Sequence, residues 1–534
     1  MKIKNIPAGS RDLIFDKCIE KNTLIESIIK NFKDRGYSEI ITPYLEYADV
    51  FSQNKAFDTN TLYKMIDTSN STISLRADST TPIARVVATR LNKEKLPLKL
   101  YYNQSVFRAS NIHKGKLAQI TQCGTELIGQ SSIAADTDII SLAIETLSKA
   151  IGDDFKIEIG FASLFNILVK ECNISSEDES IVRSLIENKN FTGVRDVLEK
   201  YGEKATKLIK LPELFGDITV LDAALSIYTS FETISVINYL KELYANLKAK
   251  KLDKYVVFDL GLVQKIEYYT GIIFSGYISG KGESILSGGR YDSLIGKFGY
   301  DVPACGFAIN IEPILDRKAV VNIKDKPLRI AVTKGRLEKK TLELLENSGI
   351  PIDSLKDKGR KLIFTSNDGK YELLLAKASD VITYVEHGVC DLGIVGKDTI
   401  LENGSSFYEI KDLGFGRCKF ALAGKKGDNF YEGYDKKIIA TKYPNVTKDF
   451  FDKKGIDVEI IKIEGSVELA PILELSNAIV DIVETGNTLY ENGLEVYEDV
   501  AEVSARLIAN VASMKLMKKQ ISNLLFSIQD GKVN

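Results

Sequence analysis

From Asp12 to Arg35 apolar residues fall at helical spacing (Leu13, Ile14, Ile19, Leu24, Ile25, Ile28, Ile29, Phe32), and Gly36 closes the run. The pattern predicts one long amphipathic helix with a glycine stop. Strand-like blocks follow from Glu39 to Ile41, Leu62 to Ile66, Ile73 to Arg76, Leu98 to Phe107 and Gln119 to Ile128. Their irregular spacing, with few helices between, points to an antiparallel sheet in an α+β domain. Thr137 to Ala249 is mostly helical by pattern, with Asp136 and Ser163 as candidate caps and a break at Leu211 and Pro212. Strand signals return from Tyr255 to Leu260, Ile272 to Tyr277 and Gly306 to Ile311, which reads as one sheet interrupted by a helical excursion and then completed.

After the short polar stretch Asn322 to Pro327 the texture changes. Strands and helices now alternate: strand Arg329 to Val332, helix Glu338 to Ser348, strand Tyr371 to Ala376, helix Ser379 to Gly388, strand Leu392 to Val395, and further pairs up to strand Ile479 to Val483. Such alternation argues for α/β layers with largely parallel sheets. The middle section, Phe420 to Tyr497, can form a sheet of its own, giving two lobes around a cleft.

Composition narrows the function classes. With 534 residues, 44% of them apolar, the chain has material for roughly three to four domains, each with a core. Its apolar runs are broken by charge well short of the roughly 20 residues that cross a bilayer, and Met1 to Ser10 lacks an apolar signal core. The expectation is a cytoplasmic protein with no membrane partner. Six scattered cysteines without a C-x-x-C pair, and only two histidines, His113 and His387, argue against a thiolate or imidazole metal cage. Lys plus Arg number 71 against 73 Asp plus Glu, so the basic footprint of a nucleic-acid binder is missing and no nucleic-acid partner is expected.

The sharpest local chemistry is the run from Ala478 to Leu489. An apolar strand enters a loop, Glu484-Thr485-Gly486-Asn487-Thr488, and a helix is expected to start at Thr488. Backbone N–H groups at a helix start, a glycine and two Thr hydroxyls suit a phosphate monoester, and Asp481 and Glu484 can accept hydrogen bonds from sugar hydroxyls. A phosphorylated ribose fits this set better than a bare phosphate. A second constellation follows the strand Leu328 to Val332: Lys334, Gly335 and Arg336, with Lys358-Gly359-Arg360-Lys361 beyond. Arginine forks suit bidentate phosphate contacts. Taken singly, each segment also reads as a glycine turn with a Thr cap or as a solvated charged turn.

Several ordered blocks then carry a resemblance: Ala331-Val332-Thr333-Lys334-Gly335-Arg336-Leu337, Ala378-Ser379-Asp380-Val381, Asp391 to Asp398, Asp412 to Gly416, Gly465 to Pro471 and Glu484 to Thr488. Leu328 to Leu507 resembles the catalytic subunit of ATP phosphoribosyltransferase. The resemblance implies a two-lobed fold like a periplasmic binding protein. It also implies condensation of ATP with phosphoribosyl pyrophosphate to N1-(5-phosphoribosyl)-ATP and pyrophosphate, the first step of histidine biosynthesis, with Mg²⁺ whose ligands stay open. It implies ribose 5-phosphate on Thr485, Gly486, Asn487 and Thr488, ribose hydroxyls near Asp481 and Glu484, and polyphosphates at Lys334, Gly335, Arg336 and Arg360, with Arg360 at the departing pyrophosphate. About 27 residues follow Leu507 and read as a terminal helix, leaving no room for the C-terminal regulatory domain of the family's long forms.

The first 320 residues resemble histidyl-tRNA synthetase and its catalytically silent relative, the regulatory subunit of short-form ATP phosphoribosyltransferase. The blocks are Pro7 to Asp12, Gly36-Tyr37, Thr42 to Glu46, Leu75 to Thr80, Val106-Phe107-Arg108, Gln122 to Glu126, Glu267 to Gly271 and Gly288 to Asp292. Departures favour a sensor over a synthetase. Gln264 and Lys265 stand where the synthetase carries Arg-Gly, Glu312-Pro313 stands where it carries Glu-Arg, and the anticodon-binding domain is missing. Proline cannot supply the guanidinium that grips a triphosphate. The resemblance implies that Asp78 and Thr80 take the amino group of histidine, that Gln122 and Glu126 hold the amino acid, that Tyr268 and Tyr269 border the imidazole, and that Arg108 belongs to the same site.

The sequence therefore predicts a synthetase-like α+β regulatory domain at residues 1–321 with a helical insertion at about 137–250, a linker at 322–327, and an α/β catalytic domain at 328–534. Within the last, one lobe takes about 328–418 plus 505–534 and the other about 419–504. Expected partners are ATP, phosphoribosyl pyrophosphate and histidine as an allosteric inhibitor, in a homo-oligomer. Two other readings remain, an active histidyl-tRNA synthetase with an accessory domain and a non-catalytic ligand-binding module.

Overall fold

The computed structural model describes residues 5–52, 59–109, 116–263, 268–316, 326–353, 359, 361–404, 406–433 and 435–530. The chain divides into two compact units, Met1–Asp325 and Lys326–Asn534.

In the first unit the amphipathic run forms helix Asp16–Asp34, and Gly36 takes a left-handed φ of 79° just beyond it. A nine-stranded sheet lies beside it in the order Ser38–Glu39, Leu98–Phe107, Gln119–Ile128, Ala304–Asn310, Leu286–Arg290, Ile272–Ile278, Phe155–Phe161, Val256–Asp259, Phe215–Gly216. Neighbours pair antiparallel except at Ser38–Glu39 with Leu98–Phe107 and at Phe155–Phe161 with Val256–Asp259. One face packs Ile28 and Phe32 of the first helix and Ile140 and Leu147 of helix Ile133–Ile151 against Cys123, Leu127, Ile157 and Phe307. On the other, Ile83 and Val87 of helix Thr80–Arg90 pack with Leu100, Tyr102 and Ala304. Burial of this two-sided apolar area supplies most of the unit's stability.

The stretch from Thr137 to Ala249 is mostly helical, as expected, but it also gives the main sheet the internal strand Phe155–Phe161 and the edge strand Phe215–Gly216. Asp136 is not the cap expected of it. Ser132 caps helix Ile133–Ile151, and the buried Asp136 instead accepts from Arg290 Nε at 2.9 Å and Nη2 at 2.5 Å. A buried carboxylate needs such a partner more than an exposed helix end needs a second cap. Ser163 precedes helix Leu164–Cys172, with no side-chain capping bond. The break at Leu211 and Pro212 is a 3₁₀ turn, Leu211–Glu213.

The second unit holds two mixed sheets. Six strands run in the order Ile363–Thr365, Tyr371–Ala376, Leu328–Thr333, Leu392–Gly396, Ala505–Asn510, Phe407–Asp412, and five in the order Val458–Lys462, Lys437–Thr441, Ala478–Val483, Cys418–Lys425, Leu494–Val503. The expected largely parallel pairing holds for Tyr371–Ala376, Leu328–Thr333 and Leu392–Gly396 in one sheet and for Val458–Lys462, Lys437–Thr441 and Ala478–Val483 in the other, while the remaining neighbours pair antiparallel. A local hairpin reverses Ile363–Thr365 against Tyr371–Ala376, and the two chain crossings between the sheets send Cys418–Lys425 and Ala505–Asn510 back against their neighbours. Leu413 N and Ala505 N donate to Ala505 O and Phe415 O, each at 2.9 Å, tying the crossings together. The C-terminal stretch forms helices Val511–Leu516 and Lys518–Asp530.

Candidate functional site

In the second unit the site forms where parallel strands of both sheets end. Strand Leu328–Thr333 empties into Lys334-Gly335-Arg336, where Gly335 adopts φ 94° and lets the chain turn at once into helix Glu338–Asn347. Strand Ala478–Val483 empties into Glu484, Thr485 and Gly486, and helix Asn487–Glu491 follows. It begins one residue earlier than Thr488, because Gly486, at φ 78°, occupies the position before the helix. The left-handed region is open to glycine without steric cost.

Arg336 joins the two loops. Its Nη1 lies 3.2 Å from Glu484 Oε2 and its Nη2 donates to Cys418 Sγ at 3.2 Å. The arginine belongs to the loop of the six-stranded sheet; both partners belong to the five-stranded one. Lys334 is exposed and shares the turn with Arg336. Thr485, Asn487 and Thr488 are exposed, with their side chains open to solvent. Burial pushes the Asp481 carboxyl up from its ordinary value, although Ile482 N donates to it at 2.8 Å. Arg360 and Lys358 lie outside the described residues, as do His113, Gln264, Lys265 and Glu267. His387 follows helix Ala378–Glu386 as its C-terminal cap residue, its Nδ1 2.9 Å from Thr383 O.

In the first unit Asp78, Thr80, Arg108, Gln122, Glu126, Tyr268 and Tyr269 line one small cavity. Strand register explains why. Gln122, Gly124 and Glu126 alternate onto one sheet face, and Glu126 pairs with Gly306, itself opposite Gly289, while Gly124 pairs with Ala308, itself opposite Ser287. Rows of Gly, Ala and Ser leave a hollow. A Cβ on Gly306 would sit 1.9 Å from Glu126 Oε2, and one on Gly289 2.6 Å from the Tyr269 ring.

The pocket is electrostatically tense. Glu126 accepts from Thr80 Oγ1 at 2.8 Å and from the Tyr291 hydroxyl, yet burial pushes its carboxyl up to about 8. Burial likewise pushes Asp78 up to about 6, against the Arg108 guanidinium and two bonds from Thr81. Both acids are biased toward the neutral form by burial, and a further cation placed beside them would favour ionisation. The sequence reading missed Tyr102, Ser287 and Tyr291, which also line the cavity. Tyr291 belongs to the Gly288 to Asp292 block, and Tyr102 lies opposite Gly124; period-two alternation is the signal for both. Cys418, the partner of Arg336, had no such signal.

Glu312, in helix Ile311–Leu315, accepts from Lys21 Nζ at 3.0 Å and from Thr121 N at 2.8 Å.

Comparison with known proteins agrees with this division. A model of the histidyl-tRNA synthetase family matches residues 9–314, and one of the ATP phosphoribosyltransferase family matches residues 377–530. An ATP phosphoribosyltransferase of Clostridium kluyveri is 57% identical over 205 residues, 38% of this chain and 94% of that protein. The chain belongs to both families, fused. An ATP phosphoribosyltransferase regulatory subunit of Clostridium acetobutylicum is 40% identical over 319 residues, 58% of this chain and 78% of that protein. A crystal structure described as an ATP phosphoribosyltransferase regulatory subunit/histidyl-tRNA synthetase from Bacillus halodurans aligns with a TM-score of 0.56 at 27% identity, covering 71% of this chain and 94% of that one. The fold of the first unit is thus class II synthetase-like. The chain is an ATP phosphoribosyltransferase that carries a synthetase-like regulatory subunit in the same polypeptide.

Proposed function

We propose that transfer takes place between the two sheets of the second unit, acting as the two lobes of a cleft like that of periplasmic binding proteins. The carrying observation is Arg336 against Glu484, which brings the basic turn of one sheet to the phosphoribose loop of the other. Phosphoribosyl pyrophosphate rests its 5-phosphate on the N–H groups and hydroxyls of Thr485 to Thr488, with Asp481 and Glu484 at the ribose hydroxyls. Adenine N1 of ATP attacks the anomeric carbon, the bond to pyrophosphate breaks, and its electron pair leaves with that group. Arg336 and Arg360 neutralise the growing charge, Lys334 and Gly335 add polyphosphate contacts, and no protein nucleophile is needed. Among the described residues no cluster of three or more His, Cys, Asp or Glu can hold a metal. Two carboxylates, Asp481 and Glu484, suit Mg²⁺ arriving on substrate phosphates, where it would add charge neutralisation.

Histidine is the inhibitor proposed for the first-unit cavity, its α-amino group facing Asp78 and Glu126 and its ring facing Tyr268 and Tyr269. The exposed Ile41, Tyr44, Tyr47 and Ile66 support a homo-oligomer built through this unit. None of the described helices is long and apolar enough to cross a membrane; ATP and the sugar pyrophosphate place the work in the cytoplasm. The test is release of pyrophosphate by the full chain from ATP plus phosphoribosyl pyrophosphate, alongside a crystal soaked with the latter. Sugar phosphate lodged away from Glu484 to Thr488 would refute the site, and unaltered turnover at every histidine concentration would refute the sensor.

A further inference from the structure

The five-stranded sheet has a second end. Strand Ala478–Val483 leads into the phosphoribose loop, but Ser476 and Asn477, just before it, border a cavity of about 410 Å³. Six strand residues at about 3.3 Å each put roughly 20 Å between the two. The volume falls in the range of small-molecule pockets, about 300–1,000 Å³.

Its lining is chemically specific. Phe430 and Tyr497 form an aromatic wall, their rings stacked with centroids 6.1 Å apart and planes inclined at 30°. Two half-buried cations face the same space. Lys437 Nζ donates to Glu432 O at 2.7 Å, which leaves two of its three N–H groups. Lys425 Nζ lies 3.6 Å from Glu474, a carboxylate 85% exposed, and so loose a surface pair is readily exchanged. The other acidic lining group, Asp428, is also exposed. Ser476 is 8% exposed, and its hydroxyl finds no hydrogen-bond partner among the described residues. A buried hydroxyl left unmatched beside a roomy cavity needs a partner, which a ligand atom in that cavity can supply.

We infer that this end of the second unit binds a small organic anion with a flat apolar body. Its carboxylate or phosphate meets Lys425 and Lys437, its plane lies along Phe430 and Tyr497, and a polar atom meets Ser476. The site is separate from both the phosphoribose loop and the first-unit cavity, and it does not depend on the roles assigned there.

The experiment uses the full chain saturated with histidine and phosphoribosyl pyrophosphate, so that both other sites are filled. Benzoate and phenyl phosphate serve as probes, benzyl alcohol as the neutral control, and saturation-transfer NMR as the readout. At least one anion is expected to bind tenfold or more tightly than the alcohol, and the better of the two identifies the head group. Lys425→Met with Lys437→Met should weaken that anion at least tenfold and leave the alcohol unchanged. Should the double variant fold poorly, Leu475→Trp, at a half-exposed mouth position, should block both anions while pyrophosphate release stays at the wild-type rate. Anions that bind no better than benzyl alcohol, that are displaced by further histidine or phosphoribosyl pyrophosphate, or that ignore these substitutions would overturn the inference.

Discussion

A single guanidinium illustrates how much of this protein depends on placement rather than burial. Arg336 is nearly half exposed, and its pair with the exposed Glu484 contributes little to folding. In the proposed mechanism its use is electrostatic and strongest as charge builds on the departing pyrophosphate. Arg336→Ala should lower kcat by roughly 10²- to 10³-fold, while the thermal unfolding midpoint scarcely moves, as both a stopped-time pyrophosphate assay and calorimetry would record. Wild-type turnover in that variant would remove Arg336 from the mechanism. Arg360→Ala belongs in the same assay. The cavity acids carry a pH signature. Without ligand, burial keeps Glu126 mostly protonated below about 8 and Asp78 below about 6. A bound cation favours their ionised forms, so binding expels a proton, and affinity must rise with pH until the free carboxyl is already ionised. Histidine should therefore bind more tightly at pH 8 than at pH 6.5, with a heat that depends on the buffer's ionisation enthalpy. A flat profile would show that Glu126 does not meet the ligand's charge.

Elements place these groups, and glycines decide where they can. Gly416, at φ 66°, lies in the crossing between the two sheets of the second unit, and a Cβ there would meet Leu337 Cδ2 at 2.4 Å. Leu337 follows Arg336, so the crossing seats the arginine's own turn. Gly416→Ala adds left-handed strain of about 1 to 2 kcal/mol to that overlap; both the unfolding midpoint and kcat should fall, unlike the activity-only loss at Arg336. An unchanged midpoint would show that the turn yields freely. In the first unit the hollow depends on small residues in register. Gly306→Ala puts a methyl group into the space held by Glu126 Oε2 and Thr125 O, and should abolish the histidine response in a rate assay before it abolishes transferase activity. Retained inhibition would place histidine elsewhere.

At the scale of the whole chain, fusion fixes sensor and catalyst at one to one. For histidine to inhibit, it must bind more tightly to a less active arrangement, a coupling typically worth about 1 to 3 kcal/mol. Reciprocity then requires phosphoribosyl pyrophosphate to weaken histidine binding by the same factor that histidine weakens substrate binding. Calorimetric titrations of each ligand with and without the other would measure both factors, and unequal values would rule out a simple equilibrium linkage. Glu126→Gln should lose inhibition yet keep the uninhibited rate, because the residue's partners, Thr80 and Tyr291, belong to the first-unit cavity and not to the transfer chemistry.

Period and local chemistry were enough to read much of this molecule. Long amphipathic or alternating runs such as Asp16–Asp34, Leu98–Phe107 and Gln119–Ile128 declare themselves because neighbours three, four or two residues apart share one environment. Ordered motifs conveyed the two families and seven of the side chains around the cavity. Tertiary structure alone decided which strands pair, hence that Phe155–Phe161 joins the main sheet and that both sheets of the second unit are mixed. It alone took Asp136 from a helix start to a buried pair with Arg290, and set Cys418 and Glu484 around Arg336. The partners in those contacts are 82 to 154 residues apart in the chain. Local periodicity contains no information at that distance, where burial and pairing energies choose the neighbours.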